Sequence, residues 1–246
     1  PTYGDIYRDK KREFWLATGD GRYTFSASRN TFRNYVNIPT DTASLSSNVV
    51  RSVLPDPKYP EKFLWLGTAG GGLNRFDLQT RKFKAFTIAD GLPNNVVYGI
   101  LADEKGFLWL STNKGISRFD PSTGKFQSFT AKSGLQSNEF NSGAFYKNES
   151  GKLYFGGING FNAFDPDKIK FNTYIPDIVF TGLRLANRMA SIHDKNSLLE
   201  MPVFESRQIT LPYYENNIGI QVAGMDFTNP GHIQYEYKLE GINAHW

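Results

Sequence analysis

The chain has 246 residues, among them 23 Gly, 12 Pro, 20 Phe, 13 Tyr and 4 Trp, and no Cys. So many aromatics exclude a disordered chain, which could not bury enough apolar surface to offset its entropy, and the lack of Cys excludes disulfides, thiolate metal sites and cysteine nucleophiles. The net charge of +4 is a mild basic tilt rather than a nucleic-acid-binding signature, and no apolar run approaches the ~20 residues that cross a bilayer.

In chain order, the first unit opens with a short strand over Gly4 to Asp9, then the basic turn Lys10-Lys11-Arg12, then Glu13-Phe14-Trp15-Leu16-Ala17-Thr18. The second carries Phe63-Leu64-Trp65-Leu66-Gly67-Thr68, the third Phe107-Leu108-Trp109-Leu110-Ser111-Thr112, and the fourth Lys152-Leu153-Tyr154-Phe155-Gly156-Gly157. Trp15, Trp65, Trp109 and Tyr154 thus recur at a period of about 45 residues. After a glycine-bearing turn come strands ending in aspartate, at Asp77, Asp120 and Asp165, and then short aromatic strands such as Phe83–Thr87 and Phe126–Thr130. Gly91-Leu92 and Gly134-Leu135 open the following units. Four short strands in about 45 residues make one β-propeller blade. No stretch holds a 3.6-residue period for three turns, so the chain is all-β. The four units read as the C-terminal arc of a larger propeller, clipped at its first strand, with a complete four-bladed ring as the alternative, and Pro1 marks an excised or processed piece.

Residues repeated in every blade serve the blade. Asp77, Asp120 and Asp165 stand where Asp caps its own turn, and Asn48, Asn95 and Asn138 each follow a repeated Leu by three positions. Gly67 to Gly72 is glycine-rich but leads into a strand and lacks the Gly-Lys-Ser/Thr of a phosphate loop. His193, His232 and His245 have no metal-ligand spacing, and no Gly-x-Ser-x-Gly elbow is present, so no catalytic residue, metal or cofactor is expected. Functional candidates are instead residues that differ within one column. Three positions beyond the repeated Asn stand Arg51, Tyr98 and Asn141, which alternation turns toward the channel mouth. Arg is a fork for carboxylate or sulfate, Tyr an aromatic face and Asn an amide for hydroxyls. The loops facing that mouth add Asp20, Arg22, Asn113, Lys114 and Asn159, while Lys10-Lys11-Arg12 falls on the opposite face as a solvated turn.

These units resemble the two-component regulator propeller repeat, which reads Asp-x-x-Gly-x-Leu-Trp-Ile-Gly-Thr followed by Gly-Leu and Phe-Asp-Pro; residues 91 to 130 match it almost column for column. Ile209 to Asn217, Ala223 to Phe227 and Tyr235 to Gly241 resemble the Y_Y_Y domain, an immunoglobulin-like or fibronectin-like sandwich that follows such propellers. The resemblance implies propeller blades over 1–171 and a sandwich, truncated at its C-terminus, over 172–246. Tyr213, Tyr214, Tyr235 and Tyr237 would then be sandwich core and edge. It also implies a periplasmic sensor region of a Bacteroides-type hybrid two-component system that binds an oligosaccharide, neutral or acidic, and acts as a homodimer through the Y_Y_Y region. Nucleic acid would not bind this fragment, and membrane attachment would come only from segments outside it. Histidine kinase activity would belong to absent domains, leaving this fragment non-catalytic. The rival expectations are a scaffold for another protein and a propeller lyase or hydrolase acting on glycans.

Overall fold

The computed structural model describes residues 3–10, 13–19, 21–26, 30–169, 177–186, 188–194, 197–206, 208–213 and 217–225, with 235 and 237. The chain divides into two compact units, Pro1–Lys170 and Phe171–Trp246. Among the described residues there is no α-helix, only strands and three single-turn 3-10 helices.

Unit one is a series of antiparallel meanders. β1 (Tyr3–Arg8), β2 (Glu13–Thr18), β3 (Gly21–Ser26) and β4 (Thr31–Tyr35) form the first sheet. β5 (Val50–Pro55), β6 (Phe63–Thr68), β7 (Leu73–Asp77) and β8 (Phe83–Phe86) form the second. β9 (Val97–Ala102), β10 (Leu108–Thr112), β11 (Gly115–Phe119) and β12 (Phe126–Phe129) form the third. The fourth holds β13 (Phe140–Lys147), β14 (Leu153–Gly157) and β15 (Gly160–Phe164). Its expected fourth strand would fall on 170–176, outside the described residues. The first strand of each sheet lies innermost, β1 against β5, β5 against β9 and β9 against β13. These are four successive propeller blades.

The blades are glued by one contact repeated three times. The tryptophan of each blade faces the next and meets its third-strand phenylalanine. Trp15 lies 5.9 Å from Phe76 and Trp65 5.4 Å from Phe119, both edge-on, and Trp109 lies 5.0 Å from Phe164. Each indole is at most 1% exposed and sits among Leu, Ile and Val of its neighbour, such as Leu64, Leu66 and Val53 around Trp15. Aromatic pairs in this geometry contribute about 0.5–1.5 kcal/mol beyond their area. The indole N–H, which would be costly to bury unpaired, donates to an aspartate at the end of the first strand. Trp15 Nε1 reaches Asp9 Oδ2 at 3.1 Å, Trp65 reaches Asp56 at 2.8 Å and Trp109 reaches Asp103 at 2.9 Å. In the fourth blade Tyr154 replaces Trp, and Asn148 replaces that Asp while still accepting from Lys152 N at 2.8 Å. The two end faces of the array stay uncovered: Ile6 and Phe32 at one, Tyr146 and Phe161 at the other, are 61–67% exposed.

The Gly-Leu turns close 3-10 caps. Thr87 accepts from Ala89 N and forms a capping box with Asp90, then Gly91 takes φ 100°, a left-handed conformation suited to glycine. Leu92 next drops into the inter-blade core, 2% exposed.

Unit two contains β16 (Ile178–Leu185), β17 (Arg188–Met189) and β18 (Ile218–Gly224) in the order β17-β16-β18. Leu183, Leu185 and Leu199 form its buried cluster, with Ala190, Val203, Ile209 and Leu211 packed on it. Ile178, Phe180, Ile218 and Ile220 remain exposed. Of the tyrosines expected as sandwich core and edge, the three that are described are exposed. Tyr213 and Tyr237 are 93% and 89% exposed, and the Tyr235 hydroxyl oxygen accepts from Gly224 N at 2.8 Å. Their aromatic rings suit a strand by propensity, but propensity does not say which face is covered. Tyr214, His232 and His245 lie outside the described residues.

Candidate functional site

The column of Arg51, Tyr98 and Asn141 coincides with a break in each inner ladder. On β5, Val50 pairs with Thr68 and Ser52 with Gly67, so Arg51 has no partner across the strand. On β9, Val97 pairs with Thr112 and Gly99 with Ser111, so Tyr98 is the extra residue. On β13, Phe140 pairs with Gly157 and the ladder resumes only at Phe145 with Phe155, so Asn141 opens a wider bulge. β1 breaks likewise between Tyr3 and Ile6. A bulge releases one residue from alternation and re-aims its side chain. Each bulge is set by the loop before it, which the repeated asparagine staples. Asn48 Oδ1 accepts from Asn37 N at 2.6 Å, Asn95 Oδ1 from Ile88 N at 3.0 Å and Asn138 Oδ1 from Ala131 N at 2.8 Å.

Two of the predicted residues meet. Tyr98 donates its hydroxyl to Asn113 Oδ1 at 2.8 Å, joining the inner strand to the β10–β11 hairpin. That hairpin turns on Thr112, whose Oγ1 donates to Gly115 O and accepts from Lys114 N, leaving Asn113 and Lys114 exposed. Asn159 is tied by its backbone N to Gln136 Oε1 at 2.8 Å, and Gln136 Nε2 donates to Glu139 O at 3.2 Å. The β14–β15 hairpin therefore rests on the loop leading to Asn141, but no hydrogen bond joins the Asn141 and Asn159 side chains among the described residues. Arg51 is half-buried and its Nε has no hydrogen-bond partner. Arg22 lies on β3, pairing with Ala17 and Tyr35 through the backbone, and Asp20 lies outside the described residues.

Column reading missed two residues at this end. Gln136 bridges a loop and a hairpin. Asp5, on β1, accepts from Ile6 N at 2.9 Å and, across the blade boundary, from Val53 N at 3.3 Å. Burial pushes its pKa up, against those two backbone hydrogen bonds. Asp5 stands where β5 has Ser52 and β9 has Gly99, so a charge in that column was its available mark.

The repeated aspartates cap turns. Asp77 Oδ1 accepts from Gln79 N and Thr80 N, Asp120 from Ser122 and Thr123, and Asp165 from Asp167 N. The Thr80 amide, the Ser122 hydroxyl and the Lys168 ammonium respectively lead in holding the three carboxyls below their ordinary range. At the other end of the blades, Lys10 pairs with Glu61 at 3.3 Å and Lys147 with Glu104 at 2.6 Å. Lys11 and Arg12 lie outside the described residues. Among the described residues no three His, Asp or Glu cluster as a metal site, and no helix is long and apolar enough to cross a membrane.

Residues 91–114 match the two component regulator propeller family. The chain is 28% identical to histidine kinase P4 of Formosa agariphila, with 94% of this chain and 20% of that protein covered. Among solved structures it is similar to the extracellular domain of a B. thetaiotaomicron protein assigned as a hybrid two component system. That match has 25% identity and a TM-score of 0.66, and covers 93% of this chain and 30% of the other. The WD40 β-propeller domain of Doa1 shares the fold at 14% identity and a TM-score of 0.50, over 68% of this chain and 52% of that one. The chain thus spans about a fifth of its curated relative and three tenths of the solved one. It carries a two component regulator propeller repeat and is similar, over nearly its whole length, to the extracellular domain of a hybrid two component system.

Proposed function

We propose that the chain is a non-catalytic part of a periplasmic sensor, binding an oligosaccharide at the mouth of the propeller and passing the event toward a membrane segment outside it. The bulge column carries this reading. The asparagine staple and the bulge repeat from blade to blade, while Arg51, Tyr98 and Asn141 differ and are freed from strand alternation. An Arg fork, a phenol anchored on Asn113 and exposed amides suit the carboxylates, ring faces and hydroxyls of a sugar. For a signal, the saccharide must bind two arrangements of the sensor unequally.

The second unit, as a sandwich, would carry the homodimer contact. Exposed Ile178, Phe180, Ile218 and Ile220 on the paired strands β16 and β18 favour such a role.

A thermal-shift series on the complete extracellular region, with this chain in parallel, tests the sensor reading against neutral and acidic oligosaccharides. A ligand at a hundred times its dissociation constant stabilises the native state by about 2.7 kcal/mol. A shift in both proteins with the same sugar supports a site in this arc. A shift in the larger protein alone moves the site out of it, and a protein partner recovered with no sugar response favours the scaffold.

A further inference from the structure

Among the described residues, the buried side-chain polar atoms with no hydrogen-bond partner are Arg51 Nε, Ser52 Oγ and Ser111 Oγ. Ser52 and Ser111 are 0% and 1% exposed. All three belong to two bulges: Arg51 is the extra residue of β5 and Ser52 follows it, while Ser111 faces Gly99, the residue after Tyr98. Those two bulges adjoin. A Cβ built on Gly67, the partner of Ser52, would stand 2.5 Å from Ser52 Oγ and 2.9 Å from both Val97 Cγ1 and Val97 O. Ala69 also bridges to Val96, just before β9. Native proteins satisfy most buried polar groups, and each exception asks for an explanation.

The guanidinium gives the explanation its sign. Arg has five donors and no acceptor, and stays charged at any physiological pH. None of the ion pairs among the described residues involves Arg51. Asp5, on the adjoining inner strand, is spent on the amides of Ile6 and Val53. Glu139, the carboxylate on the loop before β13, is exposed and belongs to the fourth blade. Sugar hydroxyls would satisfy an N–H but leave the half-buried charge unanswered, whereas a carboxylate or sulfate accepts the planar fork bidentately.

Resting on the saccharide reading above, we infer that the adjoining bulges of β5 and β9 form a subsite for an anionic group, a carboxylate or sulfate ester, with Arg51 as its charged donor. Lys114, exposed on the β10–β11 hairpin, adds long-range attraction. The ligand is then an acidic oligosaccharide rather than a neutral one.

The test is calorimetric titration of the chain with oligouronates and sulfated oligosaccharides, each beside its carboxyl-reduced or desulfated partner, and with neutral oligosaccharides. Wild type, Arg51→Gln and Arg51→Lys are compared, with a melting curve of each variant as a folding control. The expected result is one acidic member binding at least about tenfold tighter than its neutral partner, with an affinity that falls as salt rises. Arg51→Gln abolishes that difference, and Arg51→Lys restores only part, being a point charge rather than a fork. Equal binding of an acidic member and its neutral partner would overturn the anionic subsite and leave the saccharide reading standing. An acidic preference untouched by Arg51→Gln would overturn the assignment to these bulges. No binding by any member would place any saccharide site outside this chain and overturn this inference, leaving the saccharide reading to the comparison with the complete extracellular region.

Discussion

At the scale of single residues, the aspartates fall into two kinds with opposite consequences. Asp56 is 4% exposed and accepts from Lys58 N, Tyr59 N and Trp65 Nε1. Asp56→Ala leaves three donors stranded, at about 1–3 kcal/mol for each that water cannot reach. A loss of roughly 3–5 kcal/mol in urea unfolding is expected, with Asp56→Asn milder because one carbonyl oxygen remains. A loss below about 1 kcal/mol would mean that the indole finds another acceptor. Asp5 and the turn caps differ in their response to pH. The folded pKa of Asp5 is raised, so the native state holds the proton more tightly and stability falls as pH rises from the ordinary carboxylate range through the raised value. The folded pKa values of Asp77, Asp120 and Asp165 are lowered, so their stabilisation is present above the ordinary range and lost as pH falls through the lowered values. Asp5→Asn should therefore remove part of the fall in stability as pH rises above the ordinary carboxylate range, and Asp120→Asn part of the fall as pH drops below it. Urea midpoints measured from pH 3 to pH 8 check both signs, and a shared sign would refute the assignment.

At the scale of the element, the hairpin turns decide which glycines are irreplaceable. Gly115 has φ 97° and its absent Cβ would run into the carbonyl of Phe129. Gly124 has φ 75° with nothing within 4 Å of that position. Gly124→Ala then meets only the left-handed strain of about 1–2 kcal/mol, whereas Gly115→Ala adds a collision with β12 and should cost at least about twice as much by thermal unfolding. Equal costs would show that β12 yields freely. Elements also explain what could be read from the chain. Blade strands were legible because the aromatic anchors repeat at an even spacing, and the bulge residues because they keep a fixed count from Asn48, Asn95 and Asn138. The aspartate under the tryptophan is legible where the spacing of the repeat holds, six residues before Trp15 and Trp109, and hidden in the second blade, where Asp56 precedes Trp65 by nine. The Tyr98–Asn113 bond and the bridge made by Gln136 join different elements, so no local pattern could announce them. The exposure of Tyr213 and Tyr237 likewise depends on what covers a sheet, which periodicity does not record.

At the scale of the propeller unit, the main packing is between successive blades, with the inner strands β1 and β5 also approaching β13, and stability is close to a sum of blade terms and interface terms. The middle interface, with Trp65, Phe86 and Phe119 among Leu73, Leu108 and Leu110, has a complete blade on both sides. The end blades have one uncovered face each, with Ile6 and Phe32 or Tyr146 and Phe161 in water. Opening is therefore cheapest from the ends. Native-state hydrogen exchange should find the amides of β6 and β10 most protected, and β4 and β15 exchanging at much lower opening free energies. Trp65→Ala removes the largest ring of the central interface, at roughly 3–5 kcal/mol. It should also split the unfolding of this unit, since the blades on either side of the lesion lose the contact that makes them report together. Uniform protection across β4, β6, β10 and β15, with Trp65→Ala still unfolding in one step, would mean that the blades open as a single body. The bulges of β5 and β9 would then sit on a rigid platform, and a ligand at Arg51 could not shift the blades against one another. Protection graded from the centre outward would instead leave that boundary able to move, and a ligand bridging two bulges would tighten it.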